Sequence, residues 1–372
     1  MAATSVVTDF ELPAALEAST PPEARGLRRD EVRLLVSNLG SGAVDHGQFL
    51  DLPRWLEAGD VLVVNTSGTL NAALLASDAE GRAFELHLST RLPGGFWAVE
   101  IRQPAADASM PYRGSLAGSR FTLPAGGEAT LLAPYPLIDA VAATSRLWMA
   151  ALRLPGPLGG YLETHGFPIR YKYVPQRWPS AMYQTVFATE AGSAEMPSAG
   201  RPFTTALVTA LVSQGVDIAP LLLHTGVASL EDHEPPYEEQ YRVPRATADR
   251  INAARAAGRR VIAVGTTVVR ALETVTDHRG VASPGEGWTD VVISRARPVR
   301  SVDGMITGLH EPRATHLMML EQVAAAAGRF AEARGAGASA VRPADHLDAA
   351  YGEAMRRGYL WHEFGDAHLI LP

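Results

Sequence analysis

From Tyr183 onward, apolar runs of strand length alternate with longer runs at helical spacing, and few folds accommodate that order. The strand-like runs are 216–224, 260–264, 291–294 and 367–371. The helical ones are 203–214, 246–257, 268–276, 314–327 and 345–357, with Gly215 and Gly258 standing where two of them stop. Strands interleaved with helices predict an α/β fold, a layered and mostly parallel sheet covered by helices. Residues 32–37 and Val61–Asn65 read as further strands, with a turn at 39–42. Residues 14–18 and 52–57 read as short helices. Between 70 and 155 the texture changes. Short segments at 84–89, 96–102, 121–123 and 129–132 are separated by Gly and Pro, and predict a small β-barrel. The expected organisation is a discontinuous α/β domain, 1–69 and 156–372, carrying an inserted barrel domain, 70–155.

With 372 residues the core needs no staples. Cysteine is absent, which excludes disulfides, thiolate metal sites and a cysteine nucleophile, and fits a reducing cytoplasm. No stretch of about 18 apolar residues predicts a membrane span, and Met1 to Phe10 does not read as a signal peptide. The formal net charge of −7 disfavours a general, sequence-indifferent nucleic-acid binder, though not a local basic patch. Lys172 is the sole lysine among 33 basic residues.

Four places carry chemistry. In the first, the strand Val261, Ile262, Ala263, Val264 turns at Gly265 and opens a helix at Thr266 or Thr267, with Arg270 one turn on. Free N–H groups and the helix dipole there suit a carboxylate or phosphate, while plain capping by threonine explains the pattern equally. In the second, His224 ends an apolar strand at the edge where open α/β sheets bind ligands, so it is an acid–base group or a bonded structural histidine. In the third, the small residues around Ala199 and Gly200 allow close backbone approach to a ligand, or form a linker. In the fourth, the loop 166–178 mixes Arg170, Lys172 and Arg177 with Tyr171, Tyr173 and Trp178, as stacking surfaces for nucleobases do, or packs on the domain junction. His362, Glu363, Asp366 and His368 match no standard metal-site spacing, and no metal is expected.

These segments, taken in order, resemble the S-adenosylmethionine:tRNA ribosyltransferase-isomerases of queuosine biosynthesis. Residues 263–273 are similar to that family's A-V-G-T-T-S-V-R-x-L-E, Gly59 to Asn65 to its G-D-L-L-V-F-N, and Tyr183 to Ala188 to its Y-Q-T-V-Y-A. Leu223 to Gly226 resemble L-H-V-G; His310, Pro312, Thr315, Leu317 and Met318 resemble part of T-N-F-H-L-P-x-S-T-L-L-M; Gly365, Asp366 and Ala367 resemble part of Y-G-D-A-M-L-I. The resemblance implies an α/β domain with an inserted barrel. It also implies transfer and isomerisation of the ribosyl part of S-adenosylmethionine onto 7-aminomethyl-7-deazaguanine in tRNA, giving epoxyqueuosine and releasing adenine and methionine without a metal.

The chain departs from the family pattern in several places. Asn65 to Ala73 lacks two arginines of N-D-T-R-V-I-P-A-R. Pro202 and Pro236 stand where the family has histidines, and Gly308 where it has an asparagine. The departures leave open a small-molecule acceptor in place of tRNA, cleavage without tRNA, or a non-catalytic protein that binds S-adenosylmethionine or RNA. The expected ligand-binding residues are Gly265, Thr266, Thr267, Arg270, Ala199 and Gly200. The expected catalytic residues are His224, His310 and Asp303, with Glu273 and His233 as polar partners.

Overall fold

The computed structural model describes residues 10–105, 109–114, 116–136, 145–227, 237–312, 314–335 and 342–372. The chain opens with strands β1 (Arg33–Asn38), β2 (Val44–Gln48) and β3 (Val61–Asn65). Next come β4 (Ser67–Thr69), β5 (Ala73–Ser77), β6 (Ala83–Arg91), β7 (Trp97–Pro104), β8 (Ser109–Pro111), β9 (Arg120–Leu123), β10 (Gly127–Tyr135) and β11 (Leu147–Arg153). After them follow α1 (Leu158–His165), β12 (Glu190–Ser193), α2 (Thr205–Gln214), β13 (Asp217–Leu223), β14 (Glu239–Val243) and α3 (Arg245–Ala256). The chain closes with β15 (Val261–Val264), α4 (Thr266–Val275), β16 (Gly285–Thr289), β17 (Gly304–Gly308), α5 (Thr315–Ala333), α6 (Pro343–Arg356) and β18 (Ala367–Leu371).

Among the described residues, nine strands form one sheet in the order β16-β14-β13-β3-β15-β17-β18-β1-β2. The expectation of a mostly parallel sheet is corrected to a mixed one. Four pairings are parallel, β13–β3, β3–β15, β15–β17 and β18–β1. Four are antiparallel, β16–β14, β14–β13, β17–β18 and β1–β2. The β1–β2 reversal comes where the connection is too short to carry a crossover helix, whereas β17 and β18 run antiparallel although α5 and α6 lie between them.

Alternation along the strands builds two cores. Val61, Val63, Val261 and Ala263 face one side, against apolar residues of α3, α4, α5 and α6. Leu62, Val64, Ile262 and Val264 face the other, against Phe203 and α2. Strands buried on both faces read as unbroken apolar runs, which is why Val61–Asn65 was legible at its true bounds. Each such Val, Leu or Ile contributes about 1.5–3 kcal/mol when fully buried. Helix α2 is opened by Thr204, whose hydroxyl accepts the Leu207 N–H at 3.2 Å, and closed by Gly215 in the left-handed region.

Two sequence expectations fail locally. Residues 291–294 are not a strand; Val291 N–H donates to the Thr289 hydroxyl and Val291 C=O accepts from Arg270, so this apolar run closes a cleft instead of joining the sheet. Strand β17, bounded by Gly304 and Gly308, was not expected from its residues, and its place between β15 and β18 decides its conformation. The short segments near 14–18 and 52–57 form 3-10 turns at Ala14–Leu16 and Phe49–Arg54.

Among the described residues, seven strands make a second sheet, β11-β10-β9-β5-β6-β7-β8, in which β11 also pairs with β7. It encloses its own apolar core around Phe84, Leu86, Trp148 and Leu131, and that core takes in Tyr161 and Leu162 from α1.

Candidate active site

A cleft of about 380 Å³ opens at the carboxyl ends of β13, β15 and β17. Ligands bind at this edge of open α/β sheets because the chain leaves each strand there and frees backbone groups and loops. Gly265 makes the turn from β15 into α4 with φ 96° and ψ 157°, a conformation closed to L side chains, and its N–H donates to Ile306 C=O at 2.8 Å. A side chain there would also meet Ala199, whose Cβ lies 3.4 Å from the position of the missing Cβ. Thr266 and Thr267 form the first turn of α4 and line the cleft with Ala199. Asn65 holds this edge together. Its amide bonds both the N–H and C=O of Leu223 at 3.0 and 2.8 Å, and it donates to Thr267 Oγ1 at 3.3 Å.

Arg270 also faces the cleft, but its charge is already partnered. It pairs with Glu239 from β14 and donates to Val291 C=O at 3.1 Å. The second oxygen of Glu239 accepts the Gly226 N–H at 3.0 Å. The pair therefore ties α4 to β14 and to the segment after β13. Glu239 was not legible from the sequence, since only the fold brings β14 beside α4.

His310 lies in the cleft wall after β17. Its Nε2 shares a hydrogen bond with Thr307 Oγ1 at 2.7 Å, and its ring stacks on His316 at 4.6 Å and 14°. Burial away from water pushes His310 well below the ordinary histidine range, with its histidine neighbours adding to the effect. Burial, assisted by Arg270, pushes His316 down to about 4. Both rings are thus neutral near pH 7. His316 sits on the first turn of α5, next to the Thr315 of the motif, and that adjacency was its only sequence signal.

The loop 166–178 does reach the cleft. Tyr171 stacks on Tyr173 at 5.3 Å and 3°, and Tyr173 stacks on His362 at 3.9 Å and 12°. The Tyr173 hydroxyl donates to Glu363, whose carboxyl burial pushes up to about 7. Burial pushes His362 down to about 4. His362 and Glu363, weighed in the sequence only as metal ligands, are cleft residues. Asp366 and His368 are not: Asp366 accepts the Arg33 N–H at 2.8 Å, and His368 bonds Ser37 at 2.9 Å. Among the described residues no group of three His, Asp or Glu side chains is arranged to hold a metal ion.

Other expected site residues stand apart. His224 is outside the cleft lining. Its Nδ1 meets the buried Ser67 hydroxyl at 2.7 Å, Ser67 meets Ser193 at 2.6 Å, and Glu190 lies 3.7 Å from Nε2. Gly192 leaves room for the ring, since a Cβ there would come within 2.3 Å of it. Burial lowers His224 against the opposing pull of Glu190. Asp303 sits at the opposite end of the sheet from His310. Its carboxylate accepts the N–H of Val261, the first residue of β15, whereas Gly265 follows the last. Four residues of strand, about 13 Å, separate the two ends. Asp303 and the cleft histidines are thus not one constellation. Glu273 is buried and accepts the Arg300 and Ser301 N–H groups at 2.7 Å each. Gly200 lies behind Ala199 against Thr185. His233 and Pro236 lie outside the described residues.

The fold is a mixed α/β one whose cleft stands on the carboxyl ends of parallel strands, lined by buried histidines and a carboxyl raised to about 7. Residues 7–370 match the family model of the queuosine biosynthesis protein, and the chain belongs to that family. An S-adenosylmethionine:tRNA ribosyltransferase-isomerase of Moorella thermoacetica is 38% identical over 98% of both chains. The protein of that name from Desulfitobacterium hafniense is 35% identical, also over 98% of each. A crystal structure of S-adenosylmethionine tRNA ribosyltransferase from Thermotoga maritima is 27% identical, covers 98% of this chain and all of that one, and superposes with a TM-score of 0.49.

Proposed function

We propose that this protein is a ribosyltransferase-isomerase that moves the ribosyl part of S-adenosylmethionine onto 7-aminomethyl-7-deazaguanine in tRNA and releases adenine and methionine. Family membership over nearly the whole chain carries the reading. The relatives' names give no support to a small-molecule acceptor or a non-catalytic role. Work on tRNA implies the cytoplasm, and no described helix is long and apolar enough to cross a membrane. We also read 70–155 as a small barrel inserted into an α/β domain of 1–69 and 156–372, on the strength of the β7–β11 pairing and the separate core.

The side chains of the cleft suit this substrate. S-adenosylmethionine supplies a sulfonium that acidifies its C5′ protons and makes methionine a good leaving group. The N–H groups of Thr266 and Thr267, with the dipole of α4, suit the methionyl carboxylate. Arg270 reinforces that edge while Glu239 orients it. The Tyr171–Tyr173 stack offers a face for a purine. Glu195, Glu311 and Glu363 line the same cleft and favour sulfonium and ammonium charges. His310, neutral and fixed by Thr307, is assigned as the base that accepts a proton. Glu363 is assigned as the group that exchanges a proton near neutral pH. His224 is assigned a positioning role, bracing β4 and β12 against the end of β13.

Mass spectrometry tests the proposal. The protein is incubated with S-adenosylmethionine alone, with free 7-aminomethyl-7-deazaguanine, and with tRNA carrying that base. Adenine and methionine appearing only with the tRNA, plus the matching mass gain on it, is the expected result. Release without tRNA, or none in any tube, overturns it.

A further inference from the structure

A second cavity, of about 330 Å³, lies at the other end of the sheet, beside the amino ends of β15 and β17. Four arginines line it from four separate pieces of the fold. Arg255 comes from the last turn of α3, Arg279 from the turn after α4, Arg300 from the segment before β17, and Arg329 from α5.

These arginines differ from most others in the chain. Arg33, Arg201, Arg260, Arg270 and Arg295, for example, each pair with a carboxylate. Among the described residues, none of the four cavity arginines does. Three carboxylates are close, and each is committed to backbone. Asp303 accepts from Val261 N–H at 3.0 Å, Glu273 from Arg300 and Ser301 N–H at 2.7 Å, and Asp277 from Arg279 and Val281 N–H at 2.9 Å. The acids therefore shape the loops around the cavity without saturating the guanidinium groups.

Two of the guanidinium groups are fixed in place. Arg255 donates to Arg300 C=O, and Arg329 donates to the preceding carbonyl, Val299 C=O, at 3.0 Å. Gly280, with φ +81°, lets Arg255 lie against the turn; a Cβ there would stand 3.2 Å from its terminal nitrogen. Each guanidinium has five N–H donors in a planar fork, so one bond to a carbonyl leaves most of them available. Asp303 acts on Arg255 and Arg329, and Asp277 on Arg279, through space and not by contact ion pairs, so the four guanidinium charges are only partly offset and a bound anion would complete the balance.

We propose that this cavity is a phosphate-binding site, separate from the cleft and at the opposite end of the strands. The guanidinium fork matches the geometry of phosphate oxygens. The phosphate belongs either to an RNA backbone or to a small phosphate compound. The site goes beyond the proposed reaction and does not depend on it, since binding is measured without S-adenosylmethionine.

The test uses the full chain and the double variant R279Q/R300Q, both residues being exposed, with thermal unfolding to check that it folds. R279K/R300K keeps the charge and loses the fork. The probes are pyrophosphate and unmodified tRNA. If the source is a small phosphate compound, pyrophosphate binds saturably and affinity drops at least tenfold in R279Q/R300Q, with R279K/R300K intermediate. If the source is RNA, the slope of log affinity against log salt for tRNA shrinks by roughly 0.7–0.9 for each phosphate that the variant no longer neutralises. Absence of saturable pyrophosphate binding, together with an unchanged salt slope in a folded variant, overturns the proposal.

Discussion

The two ends of the central sheet carry opposite chemistry. At the carboxyl ends, among the described residues, four carboxylates line a cleft with one arginine, and that arginine is ion-paired. At the amino ends, four arginines line a cavity with Asp303, whose carboxylate is bonded to backbone. Burial also acts differently on the two. In the cleft it pushes His310 well below the ordinary histidine range and raises Glu363 to about 7. In the cavity three of the four arginines are exposed. One sheet thus separates a cleft of buried histidines and carboxyls from a cavity of mostly exposed arginines by the length of a strand.

The largest expected break in this contrast is Arg270→Met. It strands the Glu239 carboxylate in the cleft and should cost about 3–5 kcal/mol. Glu239→Gln on the same background should recover much of that loss, as read from denaturant midpoints. A single variant within 1 kcal/mol of the parent would mean the ion pair does not organise the cleft.

Acid titration comes next. His316 and His362 fall from an ordinary value near 6.5 to about 4. Between those values the unfolded chain binds more protons than the folded one, so their contribution is complete above pH 6.5 and drains as pH falls toward 4. Each is worth up to roughly 2–3 kcal/mol. Glu363 has the opposite sign: its share is present below its ordinary value near 4.5 and is lost as pH rises through about 7. Urea midpoints across pH 4–7 should therefore climb, with His310 and His368, which burial also lowers, adding to the rise. H316N/H362N should flatten the climb, and E363Q should steepen it while removing a break in turnover near pH 7.

Gly265→Ala should cost about 1–3 kcal/mol, because alanine is strained at φ 96° and ψ 157°. It should also cut turnover more than tenfold by displacing the first turn of α4. The smallest effect is expected at the far end. Asp303→Asn keeps an acceptor for Val261 N–H and should change turnover less than twofold, with a stability change within about 1 kcal/mol. A large fall in turnover would return Asp303 to the chemistry.

The sheet's centre was legible because burial on both faces writes itself as continuous apolar runs, as in Val61–Asn65 and Ala367–Leu371. Strand β14 was missed because it lies toward an edge, with Glu239 and Arg242 on it, and its pairing with β13 makes it a strand. Of the cleft lining, Gly265, Thr266, Thr267, Arg270 and His310 were legible because a strand–glycine–helix turn and a motif histidine are local patterns. Glu239 and His316 were not named. His362 and Glu363 were noticed as a cluster that matches no metal-site spacing and were given no other role, since nothing local says that they meet Tyr173.

The sequence alone determined the alternation of strand and helix, the turn at Gly265 and the change of texture near residue 70, because local sterics and periodic burial dictate each. Only the tertiary structure decided the strand order and the mixed direction of the sheet. It alone set His224 on Ser67, Asp303 away from His310, Arg270 on Glu239 and four arginines around one cavity. Those outcomes depend on distances between residues far apart in the chain, and charge and desolvation act through distance.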